Sequence, residues 1–135
     1  MSERDEIATV EGIYEAFGRG DVPHILEVLH PEVEWHTPSS VPFSKGLYRG
    51  PDDVGQFFAG IAAHVDEPRV RVEEVFSAGD RVVALIRFSG RGMESGRPFE
   101  AEEAHVWRVS GAKVVELRSY ADTAAVIHGL QPTNA

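Results

Sequence analysis

The chain has 135 residues, a length that suits one domain with a single hydrophobic core and leaves too little chain for two. With 42% hydrophobic and 26% charged residues it has the composition of a folded domain, and its lack of cysteine excludes disulfides and thiolate metal sites. The formal net charge of −9 opposes attraction to nucleic acid phosphates and anionic lipid. We therefore expect neither nucleic acid nor membrane as a partner and, with no targeting segment recognised, a cytoplasmic location.

Two helices are predicted near the N-terminus. Apolar residues at helical spacing between Ile7 and Phe17 predict an amphipathic helix, for which Ser2 and Asp5 form a capping pair. Asp21 is a typical N-cap residue for a second, shorter helix, whose apolar side extends to Leu29.

The next segment is predicted to contain a brief strand, a long loop and a third helix. Val33–His36 is the strand, and residues 37–50, rich in proline, serine and glycine, are the loop. Pro51 and the two aspartates after it suit the first turn of the third helix. The apolar stripe of that helix continues to Val65.

From Arg69 onward the hydrophobic pattern changes to period two, which is typical of strands. Glycine-containing turns separate strands predicted at 69–78, 81–92, 99–109 and 113–120, and Asp122 is the expected N-cap of a last short helix. A strand meander buries its apolar face against another layer, so the early helices should pack across it. The expected fold class is α+β, a cone or half-barrel in which N-terminal helices cover a curved antiparallel sheet.

Several short motifs along the chain agree with this order of elements. They are Tyr14-Glu15-Ala16-Phe17, Gly20-Asp21, Val33-Glu34-Trp35-His36-Thr37-Pro38, Tyr48-Arg49-Gly50, Gly96-Arg97-Pro98-Phe99 and Tyr120-Ala121-Asp122. Together they resemble the SnoaL-like, ketosteroid isomerase-related branch of the nuclear transport factor 2-like (NTF2-like) superfamily. The resemblance covers nearly the whole chain, taken as one domain over 1–135. It implies an NTF2-like cone with a deep pocket between sheet and helices, and a homodimer through the outer face of the sheet.

The resemblance assigns catalytic roles to His105 and Tyr14. In similar ketosteroid isomerases the position matching His105 carries a proton-donating acid, and the position matching Tyr14 carries a tyrosine that shares the oxyanion role. The isomerase base aligns near Thr37, and the aspartate of similar cyclases and epoxide hydrolases aligns near Ser119, so both familiar bases are missing. His105 could replace them, because imidazole exchanges protons under physiological conditions. The alternative is a hydrogen-bonded core histidine.

The remaining candidates are substrate-binding residues. Strand alternation puts Glu103 on the same face as His105, where it would orient His105 or act as a base, the alternative being a solvated glutamate at a strand end. Arg87 interrupts an apolar strand and is a candidate anchor for a carboxylate or enolate, the alternative being a position on the outer face. Aromatic side chains would supply apolar walls, although core packing explains them equally well. The substrate-binding candidates are Trp35, Thr37, Phe57, Arg87, Glu103 and Trp107.

Neither a metal nor another cofactor is expected. The six histidines show no His-x-His or His-Glu-x-x-His spacing, and the chain has no glycine-rich phosphate loop or Gly-x-Ser-x-Gly motif. The leading hypothesis is a cofactor-independent acid–base enzyme of isomerase, cyclase or dehydratase type, acting on a carbonyl or hydroxyl of a hydrophobic small molecule. The alternative is a noncatalytic ligand-binding or dimerisation module of the same fold, which the missing carboxylates motivate.

Overall fold

The computed structural model describes residues 2–132, which form four helices and six strands. In chain order these are α1 (Glu3–Gly18), α2 (Val22–Glu27), β1 (Leu29–His36), β2 (Leu47–Arg49), α3 (Gly50–His64), β3 (Val65–Ala78), β4 (Arg81–Gly92), β5 (Pro98–Ser110), β6 (Lys113–Ala121) and α4 (Thr123–Leu130). The expected domain bounds also include Met1 and residues 133–135, which lie outside the described residues. Within the described range, no helix combines the length and apolar character needed to cross a membrane.

The six strands form one curved, open sheet in the order β2-β1-β6-β5-β4-β3. The helices pack against it, with contacts of α1 to β3, α3 to β1 and α4 to β5. The α+β fold class is therefore confirmed. One detail differs from the antiparallel sheet that we expected, because β1 and β6 pair in parallel. Parallel neighbours need a long connection, which α3 and the intervening strands provide.

Helix α1 begins where the sequence predicts. The backbone N–H of Asp5 donates to Ser2 Oγ at 3.1 Å, and the backbone N–H of Ser2 donates to Asp5 Oδ2 at 3.3 Å, which completes a capping box. Asp122 similarly caps α4, because its Oδ1 accepts from the backbone N–H of Ala125 at 3.2 Å. Local side-chain chemistry therefore fixes both helix starts.

Two helices end earlier than their apolar patterns suggest. Helix α2 ends at Glu27, and Leu29, which we expected in that helix, is the first residue of β1. Helix α3 ends at His64, and Val65 opens β3, which begins before the predicted start at Arg69. Leu29 and Val65 are both buried, so the apolar pattern continues across each boundary without marking it.

The short edge strand β2 lies inside the segment predicted to be a loop. It pairs with β1, and Tyr48 at its centre is 3% exposed, with its ring centroid 5.4 Å from that of Phe57. Three residues are too few to show a period-two pattern, so the sequence carries no signal for this strand.

Gly129 lies where α4 packs against β5. A Cβ added to Gly129 would lie 2.6 to 2.7 Å from side-chain atoms of Phe99, which is closer than carbon atoms pack. We expect Gly129→Ala to lower the free energy of unfolding by about 1–3 kcal/mol, measured by urea denaturation.

The control is Gly12→Ala in α1, where an added Cβ meets nothing within 4 Å. It should raise the free energy of unfolding by up to about 1 kcal/mol, because alanine favours the helix. Equal midpoints for Gly129→Ala and the wild type would contradict this packing.

Candidate functional site

A partly open cavity of about 90 Å³ lies between the helices and the inner face of the sheet. Its lining is mostly aromatic and aliphatic. Pockets for drug-sized ligands measure roughly 300–1,000 Å³, so a cavity of this size suits a much smaller compound. Apart from two tryptophans, the polar or charged side chains of the lining are Tyr14, Thr37, Ser44, Glu103, His105 and Ser119.

A chain of hydrogen bonds runs along one wall of the cavity. Trp107 Nε1 donates to Tyr14 Oη at 3.0 Å, and Tyr14 Oη lies 2.6 Å from His105 Nδ1. His105 Nε2 lies 2.8 Å from Glu103 Oε1, to which Ser119 Oγ also donates at 3.4 Å. We call these five residues the polar wall.

Strand alternation and sheet register assemble the polar wall. Glu103, His105 and Trp107 alternate along β5 and therefore share its inner face, as the sequence predicts. His105 is directly opposite Ser119 in the pairing of β5 with β6, which brings the Ser119 hydroxyl to Glu103. Tyr14 comes from α1, so the wall requires the helix to be docked on the sheet.

Tyr14 is held in its neutral form. Burial raises its pKa above the usual range; the hydrogen bond from Trp107 lowers the pKa, and the negative charge of Glu103 raises it. We assign the O–H of Tyr14 as the donor to His105 Nδ1 and the Nε2–H of His105 as the donor to the Glu103 carboxylate. With the bond from Trp107 to the Tyr14 oxygen, this assignment gives each bond of the wall one donor and one acceptor.

The second carboxylate oxygen of Glu103 is the polar atom that the wall leaves to the cavity. Oε1 accepts from His105 and Ser119, whereas Oε2 has no hydrogen-bond partner within residues 2–132 and is not fully covered by them. The Glu103 side chain is only 12% exposed. Both nitrogens of His105 are engaged, so the wall presents an acceptor to the cavity through Glu103.

The predicted site residues come together in this cavity with the exception of Arg87. Those that line it are Tyr14, Trp35, Thr37, Phe57, Glu103, His105 and Trp107. Seven of the eight predicted site residues therefore share one cavity.

Arg87 lies on the outer face of β4, which corrects its place among the substrate-binding candidates. Its neighbours Ile86 and Phe88 are buried on the inner side, so alternation directs Arg87 away from the cavity. Its guanidinium donates to three carboxylates, those of Glu73 at 3.1 Å, Glu100 at 3.0 Å and Glu102 at 2.8 Å. Neither arginine nor lysine is found in the cavity lining.

The side of the cavity formed by the loop before β2 was not predicted from the sequence. Phe43 and Ser44 line the cavity, and Ser44 Oγ lies 2.6 Å from Thr37 Oγ1. Thr37 Oγ1 also donates to the carbonyl of Gly46 at 3.3 Å, which ties the loop to the end of β1. A loop has no hydrophobic period, so the sequence offered no signal for Phe43 and Ser44.

A second group of titratable side chains lies on the outer face where β1 meets β6. Glu34, His36 and Glu116 place potential metal-ligating atoms within 4.8 Å of one another. One carboxylate oxygen of Glu34 lies 3.2 Å from His36 Nε2, and the other accepts a hydrogen bond from the guanidinium of Arg49 at 3.2 Å. The guanidinium of Arg118 donates to the carboxylate of Glu116 at 3.4 Å. The cluster spans two strands that are distant in the chain, so residue spacing in the sequence does not reveal it.

Comparison with known proteins establishes the family of this chain. The family model of the SnoaL-like domain matches residues 10–117. The chain belongs to this family. A relative of this SnoaL-like chain, the uncharacterized protein Rv0034 of Mycobacterium tuberculosis, is 30% identical over 128 residues, which cover 93% of this chain and 95% of the relative.

Solved structures show the same fold. An NTF2-like protein of unknown function from Burkholderia pseudomallei is 32% identical, with a TM-score of 0.86 over 97% of this chain and 99% of that chain. TerC, co-crystallized with polyporic acid, is 23% identical, with a TM-score of 0.83 over 93% of this chain and 97% of that chain. At that identity the similarity to TerC shows the fold alone. The SnoaL-like chain has the NTF2-like fold that its motifs indicated.

Replacing Tyr14 with phenylalanine tests the neutral hydroxyl at the centre of the polar wall. At neutral pH, Tyr14→Phe should cost about 1–3 kcal/mol of unfolding free energy, because Trp107 and His105 each lose a partner. The unfolded chain ionises its tyrosines as the pH passes about 10, whereas folded Tyr14 stays protonated, so Tyr14 makes stability fall with rising pH there. Urea denaturation at several pH values should therefore show a shallower loss of stability above pH 10 for Tyr14→Phe than for the wild type.

The control for Tyr14→Phe is Tyr120→Phe, measured at dilutions at which the chain is a single copy, because Tyr120 is 58% exposed in one chain. Its loss of stability above pH 10 should follow that of the wild type. Parallel pH dependence for Tyr14→Phe and the wild type would show that Tyr14 ionises in the folded protein as it does in the unfolded chain.

Proposed function

We propose that this chain holds a small hydrophobic molecule in its cavity and exchanges a proton with it at Glu103. The observation that carries the proposal is a single carboxylate, with one oxygen free of hydrogen bonds from the described residues, on the wall of an otherwise apolar cavity. Ligand sites commonly combine apolar walls with a few convergent polar groups. The complex of TerC with polyporic acid supports a small-molecule role for this fold.

Four members of the polar wall have a role in this proposal. Glu103 Oε2 accepts a proton from the ligand, while His105 and Ser119 hold Oε1 and so orient the carboxylate. Tyr14 donates a hydrogen bond to Nδ1 of His105 and so holds the imidazole ring in place. His105 and Tyr14 are therefore positioning residues, and Glu103 is the group that contacts the substrate.

The hydrogen-bond directions favour a ligand hydroxyl over a ligand carbonyl. A carbonyl that gains negative charge needs donors directed at its oxygen. The O–H of Tyr14 and the Nε2–H of His105 already have acceptors within the wall. A cofactor-independent reaction that begins by removing a hydroxyl proton, such as a cyclisation, fits this arrangement.

The alternative is a binding module that uses the same cavity without turnover. It is favoured by threonine and serine at the positions where similar isomerases, cyclases and hydrolases carry aspartate, Thr37 and Ser119. A bound ligand that is recovered unchanged after long incubation would support this alternative.

Glu103→Gln tests proton acceptance directly. Nitroethane is a small carbon acid whose own nitro group stabilises the anion that forms, so its deprotonation tests the base without requiring donors directed at a carbonyl oxygen. Its exchange of hydrogen for deuterium in heavy water can be followed by NMR. We expect the wild type to accelerate this exchange above the buffer rate and Glu103→Gln to reduce that acceleration by about 10²-fold or more, because the amide cannot accept the proton.

Glu102→Gln is the matched control for Glu103→Gln. Glu102 is the neighbouring glutamate of β5 but lies on the outer face, where it bonds Arg87. Its variant should exchange nitroethane as fast as the wild type. Exchange at the buffer rate by the wild type, or equal rates for wild type and Glu103→Gln, would contradict a base at Glu103.

We also propose that the outer face of the sheet joins two copies of the chain. Phe76, Leu85 and Tyr120 are 39%, 36% and 58% exposed on this face. Ala104 is paired with Leu85 on one side and with Tyr120 on the other, so the apolar surface continues across three strands. Such a continuous apolar surface is typical of an interface.

Leu85→Lys tests this interface by placing a charge at its centre. We expect the wild type to have twice the mass of one chain in size-exclusion chromatography with light scattering, and Leu85→Lys to have the mass of one chain, because burying the lysine is unfavourable. Met93→Lys changes a residue that is 51% exposed beyond the end of this face, in the turn after β4, and should leave the dimer intact. A wild type that runs as one chain at all concentrations would contradict the proposal.

A further inference from the structure

The described residues that line the cavity offer a ligand one negative charge and no spare hydrogen-bond donor. Besides the polar wall, its hydroxyl groups are those of Thr37 and Ser44. Thr37 donates to the carbonyl of Gly46, and Ser44 can then donate to Thr37 Oγ1, so both are satisfied within the loop. Trp35 Nε1 has no partner within residues 2–132, but less than 1 Å² of this atom is accessible, so it does not reach the cavity space. A ligand that needs to accept a hydrogen bond finds no group to donate one.

The walls of the cavity suit a positive charge. Trp35 and Trp107 line it with their ring centroids 5.6 Å apart, and Phe57 and Phe58 lie beside Trp35 at 6.1 and 5.8 Å. The faces of aromatic rings carry partial negative charge and attract cations, most strongly where water is excluded. The lining contains no arginine or lysine that would repel a cation.

Glu103 adds a full negative charge to these aromatic walls. A carboxylate that is only 12% exposed loses most of its hydration, which costs free energy unless a positive charge compensates it. Its partner His105 is neutral in the hydrogen-bond arrangement of the wall, and Tyr14 stays protonated, so neither supplies that charge. The net charge of −9 further favours the approach of cations over anions.

We propose that the cavity binds small hydrophobic amines in their protonated form. The ammonium group donates to Glu103 Oε2, and the alkyl groups lie against the aromatic rings. This inference rests on the proposed function, whose cavity and carboxylate it shares, and it adds the charge of the ligand. A cavity of about 90 Å³ limits the ligand to an amine with a few carbon atoms.

A matched pair of probes separates charge from shape. The tert-butylammonium ion and tert-butanol have the same alkyl group and similar size, and both can donate to Glu103, but only the first is charged. Both tryptophans of the chain line the cavity, so their indole N–H signals in a ¹H–¹⁵N NMR spectrum report its occupancy. Titrations are compared at equal ionic strength, with sodium chloride added to the tert-butanol samples.

We expect tert-butylammonium to shift the indole signals saturably, with a Kd about tenfold or more below that of tert-butanol. Equal or tighter binding of tert-butanol would overturn the inference on amines and leave the proposed function intact. If neither probe shifts the signals at concentrations of tens of millimolar, both the inference and the proposed binding role of the cavity fail.

Two variants test whether Glu103 causes the tighter binding of tert-butylammonium. Glu103→Gln should remove the preference for tert-butylammonium, because the amide keeps the shape of the side chain and loses its charge. Glu102→Gln also removes one negative charge, but on the outer face, and should retain the preference. Loss of the preference in both variants would show that the overall charge of the protein, not Glu103, selects the cation, and would overturn the inference.

Discussion

The hydrogen bond between Tyr14 and His105 is the contact on which the site depends. It joins α1 to β5 across 91 positions of the chain, and it links a phenol that accepts from Trp107 to an imidazole that donates to Glu103. Because the phenol donates to Nδ1, the proton of a neutral His105 lies on Nε2 and is directed at Oε1 of the carboxylate. The orientation of Glu103 is therefore determined by a helix that Glu103 itself does not contact through a hydrogen bond.

The two faces of β5 place their glutamates in different surroundings. Glu102 lies on the outer face, where it shares the guanidinium of Arg87 with other carboxylates and solvent screens the pair. Glu103, one residue later, lies on the inner face among aromatic rings, and its partners are neutral donors. Water screens the charge of the outer carboxylate. The inner carboxylate is screened much less, so its charge dominates the electrostatics of the cavity.

The fold is shared more widely than the arrangement of polar groups within it. The resemblance led us to expect that Thr37 and Ser119 replace catalytic aspartates, and in the structure Ser119 donates a hydrogen bond to Glu103. The carboxylate in this cavity is therefore that of Glu103 on β5, the strand next to Ser119. Membership of the SnoaL-like family settles the architecture, and the chemistry has to be derived from the side chains that line this particular cavity.

Much of the architecture follows from local patterns that the sequence displays. The Ser2–Asp5 capping box, the alternation along β5 and the Asp122 cap depend on residues close together in the chain, and the structure contains all three. The helix ends before Leu29 and Val65 were not predictable, because apolar residues continue the pattern across both boundaries.

Local patterns in the sequence were enough to predict the fold class, the inner face of β5 and most of the side chains that meet in the cavity. The tertiary structure alone decided that Arg87 lies on the outer face and that Phe43 and Ser44 enter the cavity from a loop. It also decided that, within residues 2–132, both nitrogens of His105 have hydrogen-bond partners while one oxygen of Glu103 has none. The physical reason is that alternation specifies only which side chains share a face, whereas hydrogen-bond partners depend on how α1, β5 and β6 dock in space.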